Sequence, residues 1–517
     1  MFLTTFILNV FFLETTNAQT VKVAISGTIS DDKGAPIPGA TIKERGTTNV
    51  AISDTDGKYK ISAPKGATLE FAFLGFATKT ALVGDALQIN ISLLEDEAQN
   101  LEQVVVVGFG TQKKVNLTGA VGVVDAKALE NRPVQNVAQA LQGLVPGLNI
   151  SQNNGSLESS PGINIRGTGT IGSSSGNPLV LVDGMEGSLN ALNPQDVESI
   201  SVLKDASASS IYGSRAAFGV ILVTTKRGKA GKVQVNYNNS LRLTSPVLLP
   251  EMMDSYTFAT YFNDASVNGG SAPHFDAAAL KRIQDYQAGL ITASVIPNPN
   301  NTQFWGDGYA YGNDNNDWYK EMYRDQSFSQ EHNISLNGGN ETTTYYLSGN
   351  FMDQAGMMRF NQDNYGRYGA TAKINTKLSE TLQANYSNRF IRETYRRPSA
   401  LTNGFYEAIG RQGWPTLPLY DPNGFLYSSP SPALEMRDGG EDNQVKDWMY
   451  QQLQLVFEPI KGWKTFAEVN YRTQTQFRHW DSQQTYNHDV NGVPYLYKRT
   501  SNVNEYGFKE NYFNTNI

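Results

Sequence analysis

From residue 233 to the C-terminal end, apolar and polar side chains alternate with a period of two. Val233, Val235, Tyr237, Leu241 and Leu243 fall on one side of an extended segment, and Gln234, Asn236, Asn238, Ser240 and Arg242 on the other, with one lapse at Asn239. Leu382, Ala384, Tyr386 and Phe390 repeat this against Thr381, Gln383, Asn385, Ser387 and Arg389, with a lapse at Asn388. Tyr368, Ala370, Ala372 and Ile374 do so again against Thr371, Lys373 and Asn375. Successive side chains leave opposite sides of a pleated backbone, so this period is the signature of a strand with one apolar face. The pattern predicts strands near 233–243, 328–337, 343–352, 365–375, 381–391, 449–458 and 463–474, and one more beyond 502. Their connections alternate in length: 244–327, 353–364 and 392–448 are long, whereas 338–342, 376–380 and 459–462 are short. A soluble sandwich hides its apolar faces, while a membrane barrel turns them to lipid and keeps polar ones in its lumen. Tyrosines near the strand ends and a connection as long as 244–327 favour the barrel. With short turns on the periplasmic side, the parity puts residue 233 at the periplasmic end.

Upstream the pattern changes. Phe2 to Leu13 is apolar and leads to Thr16-Asn17-Ala18, as in a secretory signal with its cleavage site, so residues 1–18 are expected to be a signal peptide. Residues 21–95 alternate short β-type runs with turn signals such as Asp31-Asp32-Lys33-Gly34 and Asp54-Thr55-Asp56-Gly57, which predicts a small β-sandwich. Asp54 and Asp56 are read as closing a tight turn before Gly57 and not as cation ligands. Residues 96–112 form a polar linker that runs into Val104, Val105, Val106, Val107, Gly108 and Phe109. Four successive valines suit either a strand covered on both faces or a strand awaiting a partner. Residues 113–232 read as mixed α/β: helical spacing over 126–144, interrupted at Pro133, strand candidates at 163–165, 179–182, 200–203 and 220–225, and a helical stretch at 206–212.

Composition removes several function classes. Lys and Arg number 42 against 49 Asp and Glu, a net charge of −7 with no basic tract, which argues against nucleic acid as a partner. With no cysteine the chain has no disulfide, thiolate metal site or cysteine nucleophile. None of the four histidines, His274, His332, His479 and His488, lies in an H-E-x-x-H frame, so no metal or cofactor is expected. Gly172-Ser173-Ser174-Ser175-Gly176 fits G-x-S-x-G but lacks the strand and helix that a nucleophile elbow requires, so it reads as a loop and no catalytic residue is assigned. No nucleotide-binding loop is present, so any work must be powered by another protein. Trp305, Tyr309, Tyr311, Trp414 and Tyr420, in the long connections, are candidates for stacking on sugar rings.

Two stretches resemble known families. Ser26 to Leu94, through G-T-I-S-D-D-K-G-A-P-I-P-G-A-T-I, S-D-T-D-G-K-Y-K-I and F-L-G-F, resembles the carboxypeptidase-regulatory-like domain, which implies a seven-stranded, transthyretin-like module and not a peptidase. V-V-V-V-G-F-G-T-Q-K-K, I-N-I-R-G-T-G-T, N-P-L-V-L-V-D-G and the run from V-E-S-I-S-V-L-K-D to V-I-L-V-T-T-K-R-G resemble TonB-dependent outer-membrane transporters of the SusC/RagA family. That resemblance implies a mainly β chain of the outer membrane, with a plug domain at 113–232 and, at 233–517, the first strands of an antiparallel barrel with long extracellular loops. It also implies import of an oligosaccharide or peptide with a SusD-like lipoprotein. Val104 to Phe109 would be the strand that pairs with periplasmic TonB, and Arg166 and Gly167 a plug–barrel contact, Arg166 pairing with a carboxylate of the wall. The alternative is a surface adhesin or signal-transducing receptor that transports nothing. The family barrel has roughly 22 strands, and about eight cannot surround a plug because an eight-stranded interior is filled by its own side chains, so the chain is expected to be a fragment.

Overall fold

The computed structural model describes residues 22–32, 34–73, 76–94, 104–107, 110–113, 121–130, 132, 134–152, 156–158, 160–167, 176–205, 209–428 and 432–516. The expected signal peptide, Gly108, Phe109, Pro133 and residues 172–175 of the G-x-S-x-G frame lie outside the described residues. The chain divides into two compact units.

The first unit contains two facing sheets. One orders Lys58–Pro64, Lys22–Ser30 and Ile91–Ser92; the other orders Val50–Ile52, Thr41–Glu44, Thr68–Ala72 and Lys79–Leu82. Alternation along Lys58–Pro64 buries Tyr59, Ile61 and Ala63 and exposes Lys58, Lys60 and Ser62. These meet Ile25, Ile29, Ile42, Leu69, Phe71 and Leu93 in one apolar core, as the seven-stranded reading requires. Asp54 does close a turn: its Oδ1 accepts from the backbone N–H of Asp56 at 3.0 Å and of Lys58 at 2.8 Å. Gly57 completes that turn at φ 71°, and a Cβ there would run into the Ile29 carbonyl.

The second unit holds a plug and a wall. The plug sheet runs Val121–Asp125, Val197–Leu203, Val220–Thr225, Leu179–Val182 and Met185–Glu186, and Leu148–Ser151 pairs separately with Gly162–Ile165. Val124, Leu141, Val182, Val197, Ile200, Val202, Ile221 and Val223 form its core. The helical spacing over 126–144 resolves into two short helices, Ala126–Glu130 and Val137–Leu141, the second capped by Asn136 Oδ1, which accepts from the Gln139 N–H at 2.9 Å. Residues 206–208 of the expected 206–212 helix lie outside the described residues, and Ser210–Ala216 is a 3₁₀ segment.

The wall is an eight-stranded antiparallel meander: Gly231–Thr244, Ser327–Gly339, Thr343–Ala355, Asn364–Lys377, Leu382–Pro398, Glu441–Ile460, Trp463–Ser482 and Asn502–Asn516, each paired with the next. Short turns at 340–342, 378–381 and 461–462 lie at one end, and the longer connections at the other. No barrel closes among the described residues, since the first and last of these strands are the edges of the sheet. Its polarity is inverted relative to a soluble protein. Ile334, Leu347, Ile374, Tyr386, Leu453, Phe457 and Val469 are exposed, whereas Glu331, Arg367, Lys373 and Arg389 on the opposite face are buried. Water would reject such an arrangement, and lipid on one side with a polar plug on the other accommodates it. No helix among the described residues is long and apolar enough to cross a membrane.

Candidate functional site

The seam between plug and wall is built from a few polar side chains. Leu179–Val182 turns into Met185–Glu186 through the two-residue turn Asp183-Gly184, with φ of 50° and 87°. Such left-handed pairs match the twist of a hairpin, and Asp-Gly is a preferred sequence for them. The turn delivers Asp183 to the wall. Its carboxylate accepts from the Thr225 N–H at 3.0 Å and hydroxyl at 2.7 Å, takes the Lys373 ammonium at 3.0 Å, and lies 3.7 Å from the Arg389 guanidinium. All three charged side chains are at most 7% exposed. Burial alone would raise the Asp183 carboxyl, but Lys373, Arg389 and the Thr225 bonds outweigh it and hold the group at about 2. Lys373 also donates to the Thr225 carbonyl at 3.3 Å, and Gln452 to the Asp183 carbonyl at 3.1 Å.

A second cluster clasps a neighbouring part of the plug. Arg367, 1% exposed, directs Nη1 at the carbonyls of Gln135, Asn190 and Leu192 at 3.1, 3.2 and 3.2 Å, and Nη2 at Glu331 at 3.4 Å. Arg242 reaches the same Glu331 at 3.2 Å and the Val134 carbonyl at 3.3 Å. Asn193 donates to Asn333 at 2.6 Å, and the Tyr346 hydroxyl to Asp196 at 2.8 Å. Burial raises the Asp196 carboxyl even against the hydrogen bonds of Tyr346 and Ser348. Further along, Lys446 takes Glu158 at 3.2 Å beside a cavity of 130 Å³, whose lining also includes Asn190, Tyr365, Glu393 and Trp448.

The comparisons with known proteins agree with this arrangement. Residues 113–220 match the TonB-dependent Receptor Plug Domain and residues 25–106 the CarboxypepD_reg-like domain. TonB-dependent receptor P39 of Formosa agariphila is 29% identical over 514 residues, covering 97% of this chain and 45% of that protein. TonB-dependent receptor SusC of Bacteroides thetaiotaomicron is 29% identical over 384 residues, covering 72% and 34%. The RagAB peptide importer in its open-open state superposes with a TM-score of 0.58 at 25% identity, over 74% of this chain and 43% of that one. The chain carries the plug domain of TonB-dependent receptors and is similar to members of the SusC/RagA group. It is a protein of the outer membrane, and it spans less than half the length of the curated relatives it matches.

The residues singled out from sequence are placed as follows. Arg166 sits at the end of Gly162–Ile165 with φ 60°, followed by Gly167 at φ 94°, and its guanidinium pairs with Asp205 of the plug itself. Among the described residues its carboxylate partner is therefore on the plug, where a wall carboxylate was expected. Val104–Val107 is a strand that pairs with Gly110–Lys113 in a two-stranded sheet and joins neither the sandwich sheets nor the plug sheet. Among the loop aromatics, Trp305 is buried against Val295 and Tyr427, with Tyr311 packed beside it. Trp414 is the hub of a ring cluster with Phe258, Phe262, His274 and Tyr309. Those four candidates are engaged in packing loop against loop, and Tyr420 alone of the five is exposed. The seam residues Asp183, Glu331, Arg367, Lys373 and Arg389 had no assigned role in the sequence reading. The available signal was basic residues recurring on the lumen parity of consecutive strands, opposite a plug that offers carboxylates and turn carbonyls.

Proposed function

We propose that the chain is the gated portion of an importer that brings a nutrient, oligosaccharide or peptide, across the outer membrane with energy from periplasmic TonB and with a SusD-like surface lipoprotein. The observation that carries this reading is the seam itself: a folded plug attached to a lumen wall through a small number of polar, ion-paired contacts. Such an attachment is stable at rest and exchangeable for water when the plug is displaced, as a gate requires. The solved relative described as a peptide importer supports peptide as one class of cargo; the family resemblance supports oligosaccharide as the other.

Coupling is assigned to Val104–Phe109. The strand Val104–Val107 uses one edge for Gly110–Lys113, and among the described residues its other edge carries no strand. A partner strand adds to such an edge through backbone hydrogen bonds alone. Val105→Pro or Val106→Pro removes a donor from the ladder and is expected to abolish energised uptake while leaving surface exposure and cargo binding unchanged. Val105→Ile keeps the backbone and is expected to be silent. Uptake and receptor abundance are measured together, and loss of both in step would assign these residues to folding instead.

A further inference from the structure

Arg389 stands apart from the other arginines of the seam. Arg242, Arg367 and Arg472 each leave Nε without a partner, but each gives Nη1 to a plug carbonyl and Nη2 to a wall carboxylate. Arg389 has the same unpartnered Nε and, among the described residues, no hydrogen bond from either Nη. Its guanidinium stands 3.7 Å from Asp183, an ion pair without a hydrogen bond. It also lies 4.4 Å from the centre of the Tyr450 ring, which covers one face of the group and leaves its edges open. Asp183 is already engaged, Oδ1 by the Thr225 N–H and Oδ2 by the Thr225 hydroxyl and the Lys373 ammonium. The Arg389 side chain is 7% exposed. A guanidinium carries five N–H donors and no acceptor, so a full charge and its donors are held out of water here with nothing to receive them.

The charges around Arg389 do not balance. Lys373 and Arg389 act on Asp183, Arg227 acts on Lys373, and Lys226 and Arg389 act on Asp196, so four cations meet two carboxylates. Asp196 is itself occupied by the Tyr346 hydroxyl at 2.8 Å. An excess of positive charge where water is largely withdrawn favours a counter-ion, and a group with donors and no acceptor can take nothing else. The free edge of the guanidinium sits between the Asp183 contact and the Tyr450 ring, with buried Thr371 opposite in the register. A spherical anion needs one such edge, whereas a phosphate brings more oxygens than one edge can serve. We propose that the seam binds one small inorganic anion, of the chloride class, on the free edge of Arg389. The anion is bound by the docked plug and released when the plug leaves and the group is hydrated, so it stabilises the docked state by mass action. The proposal goes beyond the import reading and requires neither cargo nor TonB. Water is the rival occupant: it can accept from Arg389 but leaves the charge excess in place.

The test compares hydrogen exchange of the receptor, purified from outer membranes, in sodium chloride and in sodium gluconate at the same concentration. Ionic strength is then fixed, and gluconate is too large for a closed seam. Exchange of Leu179–Glu186 and Val220–Thr225 should be about tenfold slower in ~100 mM chloride if the site half-fills near ~10 mM. Arg389→Gln removes the charge and should exchange at one rate in both salts. Arg392→Gln, on the opposite face of the same strand, should keep the wild-type difference. Heat-modifiable migration on gels checks that each variant is folded. Crystals of the unaltered receptor grown in bromide give a second reading, independent of any variant: a bromine anomalous peak is expected beside the Arg389 guanidinium. Equal exchange of the wild type in the two salts would assign the edge to water. A salt difference that persists in Arg389→Gln, or is lost in Arg392→Gln, would place the anion elsewhere, as would bromide peaks that omit Arg389. Each of these results overturns the site.

Discussion

Replacing Asp183 by Asn is the sharpest probe of the seam. The change keeps the size of the side chain and one hydrogen-bond acceptor, but it leaves Lys373 and Arg389 buried beside a neutral group. At 3.0 Å the attraction between unit charges is about 5 kcal/mol for an effective dielectric of ~20, and part of that offsets the cost of burying the ions. Removing one partner of a buried pair typically costs about 3–5 kcal/mol, because the stranded charge keeps its desolvation penalty. Plug opening should therefore become more frequent by roughly a hundredfold or more. Hydrogen exchange of the Leu179–Glu186 hairpin and of Val220–Thr225 in the assembled receptor reads this directly, and limited proteolysis supports it. The pH dependence has a fixed sign. A carboxyl held at about 2 against an ordinary value near 3.9 stabilises the docked plug by about 2–3 kcal/mol above pH ~4, and this is lost as pH falls toward 2. Asp196→Asn is the internal control, since burial raises that carboxyl and neutralising it removes a penalty; its exchange should match or exceed wild-type protection. Unaltered exchange in Asp183→Asn would refute the assignment of Asp183 as a latch.

Arg367→Lys should loosen the contact to Gln135 and 190–192, because one ammonium cannot reproduce a guanidinium that serves three carbonyls and Glu331 at once; a loss of about 2–4 kcal/mol in plug docking is expected, read by exchange at 135–141. Leu453→Arg, on the outward face between Tyr386 and Val469, should cost about 2–4 kcal/mol in folding into vesicles, whereas Val503→Arg, near the extracellular end of the last strand, should cost about 1 kcal/mol or less. The isolated segment 22–94 should fold cooperatively as a β-domain, since its core closes within itself; a denaturation curve without a sigmoidal transition would refute this.

The eight wall strands were legible because the period-two pattern is imposed wherever one face meets lipid. Their extracellular ends were not. The strand predicted at 449–458 runs Glu441–Ile460 and that at 463–474 runs Trp463–Ser482. In the added portions residues such as Asp442, Asn443, Gln444, Gln476 and Arg478 put polar groups on both faces, so alternation disappears although the ladder continues. The plug strands were legible as runs of branched residues such as Val220–Thr225, which is buried nearly throughout. The long connections conceal helices at Ser255–Asn268 and Ala277–Gln287 whose N-caps, Asp254 and Asp276, are readable in hindsight. The seam was the least legible part. In sequence Lys373 and Arg389 are two more polar residues on a lumen face, and Asp183 is a turn residue; only their convergence across about 190 positions of chain gives them a shared role.

If the plug is displaced as proposed, the composition of the seam accounts for its being both firmly seated and removable without unfolding. The plug's own core is apolar, with Val137, Leu141, Val182, Ile200 and Ile221 inaccessible, and separating those groups would expose surface that water does not compensate. The seam is different. Apart from the small cluster of Met185, Ala191, Ile391, Trp448 and Tyr450, its contacts are ion pairs and hydrogen bonds to turn carbonyls, together with a polar-lined cavity of 130 Å³. Each such contact strengthens while dry and has a substitute in water once wetted, so its net contribution to seating is modest compared with its gross strength. Under the proposed coupling, traction on the N-terminal side of the plug would act first on Val121–Asp125, which among the described residues is an edge strand paired only with Val197–Leu203. Water admitted behind that strand would reach groups already built to accept it, and the hydrated seam would part before the apolar core does.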